Sequence, residues 1–330
     1  MKYKVVISDC SFETISYERE ILEPIGAKVE LAQAFTDQER ITACETADAI
    51  LLEYGPINEN VLRKLKNCKI IVRYGVGYNE VDIKVATELG IPVSNIPDYC
   101  TEEVAEHTLG LIVALERKIV TSHNLAINGL KDWTYRPFRK VNRLKGRTVG
   151  IIGTGKIGTC LAIKLQAMGI NILGYHPNGK GNTTIFKMVS LEKLLSSSDY
   201  VSIHCPLSEK TRNLITKKEL NLLKKSAYFI NTSRGEIVQQ NDIFEALEKE
   251  TLAGAALDVL IDEPPKNETR KKLFSIKNLI ITPHIGWYSE QAMIDRQKKG
   301  AIIVREIFEG KQPKTILNPE VFSNKHINLK

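Results

Sequence analysis

Residues 150–158, GIIGTGKIG, contain three glycines whose spacing suits a turn around a phosphate group. Gly153 permits the tight turn, Gly155 lets the backbone approach a pyrophosphate, and Gly158 allows a helix to pack closely on the preceding strand. The run TVGIIG predicts that strand, and KIGTCLAIKLQAMG predicts the helix, whose N-terminal N–H groups would face the phosphates. The motif therefore predicts a dinucleotide-binding turn, and a flavodoxin-like turn without a dinucleotide is the alternative.

The next predicted strand, NILGYH, ends at His176, 18 positions after Gly158, where dinucleotide-binding units usually carry an acid. An acid there binds the hydroxyls of the adenosine ribose and repels a 2′-phosphate, so its absence weakens discrimination against NADP. His176 could donate one hydrogen bond to a hydroxyl, or carry positive charge to a phosphate with help from Lys180. No arginine directly follows His176. NAD is therefore the preferred cofactor, and NADP is the alternative.

Three further stretches each place one chemically apt side chain after a predicted strand. INTSRGEIV carries Arg234, LDVLIDEPP carries Glu263, and ITPHIGWYSEQ carries His284. Taken alone, Arg234 and Glu263 could each be a surface charge, and His284 could be a polar residue whose hydrogen bonds are satisfied. The carboxyl ends of parallel strands share one edge of an open sheet, so the three side chains can converge there. Their joint occurrence after a dinucleotide turn predicts an active site.

Apolar runs typical of strands alternate with helical patterns along nearly the whole chain. The first series is KYKVVIS, ADAILLE, KIIVRYG and IPVSNI, and the second is RTVGIIG, INILGYH, DYVSIHC, AYFINTS, GAALDVL and NLIITPH. Several runs are continuously aliphatic, as in parallel strands covered on both faces. This alternation predicts the α/β class, with two Rossmann-like, doubly wound parallel-sheet domains and a cleft between them.

A helical segment from residue 101 to about residue 128 separates the two series of strands. Thr101 can cap this helix, and two glutamates follow at the positive end of its dipole. We place one crossover at each end of the second series. The chain is then predicted to divide into a flavodoxin-like substrate-binding domain, residues 1–100 plus 287–330, and a dinucleotide-binding Rossmann domain, residues 101–286.

The chain has 330 residues, an ordinary globular composition, six scattered cysteines and a net charge of +7. No C-x-x-C pair occurs, which argues against a disulfide framework or a zinc site and predicts a reduced, cytoplasmic location and no metal. No apolar run reaches the roughly 18 residues that span a bilayer, and Asp9 interrupts the first run too early for a signal peptide. Paired lysines without long basic blocks favour a solvated surface over nucleic-acid binding, and an anionic substrate or a phosphate-bearing cofactor fits the same charge.

From about Leu51 to Gly310 the chain resembles the D-isomer-specific 2-hydroxyacid dehydrogenases. The resemblance rests on RYGVGYNEVD, YCTEEVAEHTLGLI, GIIGTGKIG, HCPLSEKTRNLI, NTSRGEIV, GAALDV, DEPP and TPHIGW. It implies two Rossmann-like domains, a homodimer built on the nucleotide domain, and a nicotinamide cofactor. It also implies reversible reduction of a small 2-oxo acid to a D-2-hydroxy acid. His176 departs from the pattern, since NAD-dependent members usually carry Asp there.

The resemblance implies a role for each candidate catalytic residue. Arg234 would hold the carboxylate and the 2-oxo oxygen of the substrate, a bidentate task suited to guanidinium. His284 would give a proton to the developing alkoxide during reduction and accept it during oxidation. Glu263 would orient His284 and stabilise its protonated form. The backbone N–H groups of Val76 and Gly77 would also hold the substrate carboxylate.

The resemblance further implies a set of residues that line the cofactor site. Besides His176, Arg234, His284 and the three glycines of the turn, they are Val76, Val104, Lys156, Ile157, Cys205, Pro206, Thr211, Thr232, Ser233, Asp258 and Gly286. Asp258 would face the carboxamide of the nicotinamide. Simple packing at strand ends is the alternative for these residues.

The stretch PHIGWYSEQA resembles the C-terminal-binding-protein branch of the family. In that branch a tryptophan at the position of Trp287 lines the substrate pocket, and an arginine matching Arg73 reaches the substrate. Trp287 could equally be a core or interface residue. The branch includes corepressors that sense NAD(H), so a cofactor-binding sensor with little turnover is the alternative to an enzyme. The absence of a regulatory domain disfavours an allosteric phosphoglycerate dehydrogenase. Formate is disfavoured because formate enzymes of this fold carry Gln at the position of Glu263.

Overall fold

The computed structural model describes residues 2–129, 133–138, 140–177, 179 and 181–323. The chain folds as two compact units, Met1–Cys100 with Ser289–Lys330, and Thr101–Tyr288. Each unit is built on its own parallel sheet, which confirms the predicted architecture of two doubly wound α/β domains. Trp287 and Tyr288 group with the second unit, and the predicted division into a substrate-binding and a dinucleotide-binding domain stays a prediction. The predicted cleft between the domains stays a prediction.

A five-stranded parallel sheet forms the centre of the first unit, in the order β2-β1-β3-β4-β5. The strands are β1 (Tyr3–Asp9), β2 (Ala27–Leu31), β3 (Ala49–Leu52), β4 (Ile70–Arg73) and β5 (Val93–Ser94). The helices are α1 (Ser16–Leu22), α2 (Asp37–Cys44), α3 (Glu59–Leu62), α4 (Ile83–Glu88) and, from the end of the chain, α12 (Glu290–Phe308), with 3₁₀ turns at Glu23–Ile25 and Pro319–Phe322. This strand order is the flavodoxin-like one that was predicted.

The C-terminal segment completes the first unit through buried polar contacts. Arg296 of α12 forms an ion pair with Glu53 at 2.8 Å, and both side chains are almost fully buried. Near the end of the chain, Asn318 accepts a hydrogen bond from the N–H of Val93 at 2.8 Å. Buried polar groups of this kind need their partners, because an unpaired one costs free energy. α12 and the segment around Asn318 therefore complete this unit.

A seven-stranded parallel sheet forms the centre of the second unit, in the order β12-β11-β10-β9-β6-β7-β8. The strands are β6 (Thr148–Ile152), β7 (Asn171–Tyr175), β8 (Lys187–Met188), β9 (Tyr200–Ile203), β10 (Tyr228–Asn231), β11 (Gly254–Leu257) and β12 (Leu279–Ile281). The helices are α5 (Thr101–Glu116), α6 (Ile119–Ile127), α7 (Lys156–Ala167), α8 (Leu191–Ser197), α9 (Lys217–Leu220), α10 (Gln240–Glu248) and α11 (Asn267–Ser275), with 3₁₀ turns at Arg136–Phe138 and Gly235–Ile237. The order reverses between β6 and β9, and such a reversal is where open α/β sheets bind ligands.

The central strands of the second sheet are covered on both faces. Every residue of β9, β10 and β11 is buried, which explains their continuous apolar runs. Burying such side chains contributes about 25 cal/mol per Å² of apolar surface, so this layer stabilises the unit. In the described part of the chain, no helix is both long and apolar enough to cross a bilayer.

The structure differs from the sequence patterns in two places. β2 and β8 were not predicted, because both are edge strands with partly exposed residues and lack a continuous apolar run. The single helix predicted for residues 101 to about 128 is two helices, α5 and α6. Lys118 between them has φ of +55°. A left-handed residue cannot continue a right-handed helix, so α5 ends at Glu116 and α6 begins anew at Ile119.

Candidate active site

The predicted phosphate turn lies between β6 and α7, at the reversal of the strand order. Gly153 has φ of +104°, and a Cβ there would lie 2.4 Å from the amide nitrogen of Cys205. A Cβ at Gly158 would lie 2.2 Å from the carbonyl oxygen of Gly153. At Gly155 a Cβ would meet no described atom within 4 Å. Two glycines are thus required by packing, and the third leaves the backbone open to a ligand.

The N-terminus of α7 faces this open position. Gly155 is the N-cap, and the helix begins at Lys156. Within the residues that the structure describes, the N–H groups of Gly155 and Ile157 donate to no acceptor. Unpaired N–H groups and the positive end of the helix dipole together form an anion site. The turn can therefore hold the pyrophosphate of a dinucleotide.

His176 directly follows β7, whose last residue is joined to the turn by a hydrogen bond from the Gly153 N–H to the Tyr175 carbonyl at 2.9 Å. The side chain of His176 is half-buried. Its carbonyl accepts the N–H of Gly179 at 2.9 Å, which closes a turn after the strand. This is the position at which a Rossmann unit contacts the adenosine ribose. Lys180, predicted to assist His176, lies outside the described residues.

Four of the predicted cofactor residues are linked in the loops after β9 and β10. The hydroxyl of Ser233 donates to the carbonyl of Cys205 at 2.5 Å, and the hydroxyl of Thr211 donates to the carbonyl of Pro206 at 2.6 Å. Burial raises the pKa of the Cys205 thiol to about 11, so this group stays protonated at neutral pH. These side chains fix the shape of the loops beside the glycine turn.

Val104 of α5 and Thr232 after β10 are linked through Thr108 of α5. Val104 is buried, and its carbonyl accepts the hydroxyl of Thr108 at 2.7 Å. The hydroxyls of Thr108 and Thr232 are 3.0 Å apart. α5 is thereby attached to the carboxyl end of β10, the same sheet edge that carries Arg234.

Arg234, Glu263 and His284 come together at this edge of the second sheet. Nδ1 of His284 lies 2.6 Å from Oε2 of Glu263. The other carboxylate oxygen of Glu263 accepts the N–H of Leu260 at 2.8 Å, which fixes the orientation of the carboxylate. Arg234 lies near enough for its charge to affect the ionisation of Glu263. The structure thus brings Glu263 and His284 into direct contact, with Arg234 within range of their charges, and the catalytic roles of the three stay predictions.

The pKa of Glu263 lies below its usual value, although burial of the carboxyl acts in the opposite direction. The hydrogen bond and charge of His284, the N–H of Leu260 and the charge of Arg234 outweigh burial. An ionised Glu263 only accepts hydrogen bonds, so Nδ1 of His284 must carry the proton between them. In the described part of the chain Nε2 of His284 has no partner. Nε2 can therefore exchange a proton with a bound molecule.

The backbone of His284 adopts φ of +55°, a conformation that costs a non-glycine residue about 1–3 kcal/mol. Asp258, at the end of β11, holds the surrounding loop in place. Its carboxylate accepts the hydroxyl of Thr282 at 2.5 Å and the N–H groups of Ile285 and Gly286 at 3.1 and 2.9 Å. Its carbonyl accepts the N–H of His284 at 2.8 Å. These bonds compensate the unfavourable backbone conformation.

Asp258 is almost fully buried, and its pKa is lowered, although burial alone would raise it. Hydrogen bonds from His107, Thr282 and Gly286 stabilise the carboxylate. Its observed contacts are thus with the loop that carries His284, which agrees with the packing alternative. The predicted contact with a nicotinamide carboxamide stays a prediction.

Two residues of the site, His107 and Thr282, were not singled out from the sequence. Nε2 of His107 on α5 lies 3.0 Å from the hydroxyl of Thr282 and 3.4 Å from Asp258. A signal was present, because His107 follows Val104 by three residues and so lies on the same side of α5. Trp287, predicted to line the substrate pocket, is half-buried and packs edge-on against Tyr288, with ring centroids 5.7 Å apart.

In the first unit, Arg73 is the last residue of β4, and its guanidinium bonds to residues of the same unit. It donates to the carboxylate of Glu80 at 3.2 Å and to the carbonyl of Tyr74 at 3.1 Å. A Cβ at Gly75 would lie 1.4 Å from Nη1 of Arg73, so the guanidinium occupies space that any side chain there would need. A contact between Arg73 and a substrate stays a prediction.

Val76 and Gly77 form a partly exposed loop directly after β4. The carbonyl of Val76 accepts the side-chain amide of Asn95 at 2.6 Å, which anchors the loop. Neither the Val76 nor the Gly77 N–H has an acceptor among the described residues. Two adjacent free N–H groups can bind a carboxylate.

Comparison with known families places these residues in a wider context. The model of the family "D-isomer specific 2-hydroxyacid dehydrogenase, NAD binding domain" matches residues 109–286. This match covers just over half of the chain and contains the glycine turn, Arg234, Glu263 and His284.

Individual proteins resemble the chain over a longer range. D-3-phosphoglycerate dehydrogenase of Methanocaldococcus jannaschii is 35% identical over 309 residues, 92% of this chain but only 56% of that protein. Glyoxylate reductase of Thermococcus litoralis is 34% identical over 287 residues, 83% of this chain and 84% of that protein. Among solved structures, an acyclic imino acid reductase in complex with NADPH and D-Arg has a TM-score of 0.87 at 25% identity, covering 95% of this chain and 99% of that one.

Proposed function

Since the chain belongs to the D-isomer-specific 2-hydroxyacid dehydrogenase family, we propose that it interconverts a small 2-oxo acid and a D-2-hydroxy acid with a nicotinamide cofactor. The observation that carries this proposal is the 2.6 Å bond between His284 and Glu263, with Arg234 beside it. A protein that only binds the cofactor has no need of an oriented proton donor. The similarity to a glyoxylate reductase over most of its length supports a substrate of that size.

In this proposal the residues of the second unit divide the work. Arg234 binds the carboxylate and the 2-oxo oxygen of the substrate through its planar guanidinium. Nε2 of His284 gives a proton to that oxygen during reduction and accepts it during oxidation. The ionised Glu263 holds the ring and stabilises the protonated imidazole. The nicotinamide, when bound, supplies or accepts the hydride.

The remaining predicted residues bind and position the reactants. The N–H groups of Val76 and Gly77 hold the substrate carboxylate. The turn from Gly153 to Gly158 holds the cofactor pyrophosphate, and its open Gly155 fits this role. The family model describes an NAD-binding domain, whereas the imino acid reductase was solved with NADPH. We propose NAD as the cofactor, with NADP as the alternative because His176 lacks a carboxylate.

Replacing His176 with aspartate is expected to raise the ratio of kcat/KM with NADH to that with NADPH about tenfold or more. The new carboxylate would accept the ribose hydroxyls and repel a 2′-phosphate, and about 1.4 kcal/mol is enough for a tenfold change. Initial rates with both cofactors, for the wild-type protein and the variant, measure this ratio. An unchanged ratio would place residue 176 away from the ribose.

The proposed activity is tested by following the absorbance of NADH and NADPH with glyoxylate, hydroxypyruvate and pyruvate. Turnover of any of these acids supports the proposed reaction. Tight cofactor binding without turnover of any 2-oxo acid would instead favour the alternative, a sensor that reports the redox state to a partner. Membership of the C-terminal-binding-protein branch stays a prediction. We also propose a cytoplasmic location, which cell fractionation with immunodetection would test.

We also propose a homodimer built on the second unit. α6 and the segment after it carry large apolar side chains that are exposed in the single chain: Ile119, Val120, Leu125, Ile127, Trp133 and Tyr135. Contiguous exposed apolar residues are typical of an interface between subunits. Light scattering is expected to give twice the mass of one chain, and Ile127→Lys is expected to shift it toward one chain. Phe274→Lys, at an exposed apolar residue outside this region, is the matched control, and a monomeric wild type would contradict the dimer.

A further inference from the structure

The loop of residues 282–286 reaches the catalytic His284 in a left-handed conformation that local sequence does not favour. Asp258 holds this loop from the inside, by bonds to residues on both sides of His284. His107 contacts the same loop from α5. Its Nε2 lies 3.0 Å from the hydroxyl of Thr282, and a Cβ at Gly286 would lie 3.2 Å from its Cδ2. The ring of His107 therefore lies against the loop before and after His284.

The direction of the hydrogen bonds follows from the charge of Asp258. A carboxylate only accepts hydrogen bonds, so the hydroxyl of Thr282 donates its proton to Asp258. The hydroxyl oxygen of Thr282 is then the acceptor for His107, whose Nε2 must carry a proton. The bonds form one chain from His107 through Thr282 to Asp258. A side chain without a hydrogen-bond donor at position 107 would leave the hydroxyl of Thr282 with one hydrogen bond fewer, and Thr282 and Asp258 would then be held less firmly.

Gly286 explains why the ring can come so close. A Cβ at this position would also lie 2.9 Å from the carboxylate of Asp258. The absence of a side chain at Gly286 lets the ring of His107 and the carboxylate both pack on the backbone. The ring is half-buried, with a side-chain exposure of 22%, so its contacts with the loop are partly shielded from water.

We infer that His107 is a positioning residue for His284, which acts by holding the loop of residues 282–286 through Thr282 and Asp258. This inference rests on the proposed function, because it assigns a purpose to the position of His284. Displacing a catalytic group by about 1 Å can cost on the order of 100-fold in rate. Loosening one of the supports of the loop is expected to have a smaller effect, about tenfold.

The test compares His107→Leu with the conservative His107→Gln, whose side-chain amide can donate near the position of Nε2. Hydrogen exchange of the backbone N–H groups of Ile285 and Gly286, followed by mass spectrometry without cofactor, measures directly how firmly the loop is held. His107→Leu is expected to speed this exchange about tenfold and to lower kcat about tenfold. For His107→Gln, the exchange rate and kcat are both expected to stay within about threefold of wild type. Lys271→Leu, at an exposed residue of α11 away from the loop, is the control.

Each outcome bears on the inference. Unchanged exchange in His107→Leu would overturn it, whatever happens to kcat. A lower kcat in both variants without faster exchange would mean that His107 contacts a reactant and does not position the loop. If His107→Leu fails to fold, Thr282→Val breaks the same chain of bonds by removing the hydroxyl of Thr282. The hydrogen exchange of Ile285 and Gly286 in that variant then tests the inference. If the wild-type protein shows no turnover, the proposed function fails, and the exchange experiment still tests the link between His107 and the loop.

Discussion

His284→Ala is expected to lower kcat for reduction of the 2-oxo acid about 10²–10⁴-fold, the range that general acid catalysis contributes. Nε2 of His284 is the only atom of the Glu263–His284 pair able to deliver a proton, because Nδ1 is bonded to Glu263 at 2.6 Å. Water must replace it in the variant. Cofactor binding, followed by fluorescence titration, is expected to weaken far less than kcat falls, because His284 is one of many residues predicted to line the cofactor site and the glycine turn is untouched.

A second variant separates lost chemistry from lost structure. The left-handed backbone of His284 is unfavourable for alanine, whereas asparagine adopts it more readily. His284→Asn is therefore expected to lose as much activity as His284→Ala with a smaller change in the thermal unfolding midpoint. Turnover of either variant at the wild-type rate would show that another group supplies the proton. Activity lost only in His284→Ala would indicate a distorted loop.

Arg234→Gln is expected to lower kcat/KM for the 2-oxo acid about 10²–10³-fold. Removing one partner of a desolvated, hydrogen-bonded charge pair costs about 2–5 kcal/mol, and the guanidinium is the proposed partner of the substrate carboxylate. Arg212→Gln is the matched control, because Arg212 is an exposed arginine of the same unit. Steady-state kinetics with both variants measure the difference.

Arg234→Gln is also expected to change the pH dependence in a defined direction. The charge of Arg234 helps to hold the pKa of Glu263 below its usual value, so its removal lets that pKa rise. A carboxylate with a raised pKa becomes protonated at higher pH. The acidic limb of the profile of kcat, which depends on an ionised Glu263, is then expected to move toward neutral pH. A loss confined to kcat/KM with an unmoved profile would place Arg234 away from Glu263.

The parts of the fold and site that the sequence predicts are those under local or chemical constraint. Gly153 and Gly158 can be recognised in the sequence because no other residue fits a left-handed turn or a backbone contact of that kind. The buried strands can be predicted because parallel strands covered on both faces need continuous apolar runs. Arg234, Glu263 and His284 could be named as candidates because the strand ends of one sheet meet at one edge.

The parts that the sequence does not predict depend on contacts between distant residues. His107 and Thr282 are 175 positions apart, and nothing near either of them indicates their hydrogen bond. The role of Asp258 in holding the His284 loop is hidden for the same reason. β8 has only two residues, too few for a periodic pattern. The break at Lys118 interrupts a helical pattern that continues on both sides.

The first unit is assembled from the two ends of the chain, and this has a consequence for synthesis. Its sheet emerges from the ribosome first, whereas α12 emerges only after the whole second unit. At elongation rates of about 5–20 residues per second, the early strands wait on the order of ten seconds or more for Arg296, the partner of Glu53. The second unit, continuous in sequence, has no such delay. The nascent chain therefore carries a completed nucleotide domain while its N-terminal sheet still lacks α12, and this interval is when the protein most needs protection from aggregation.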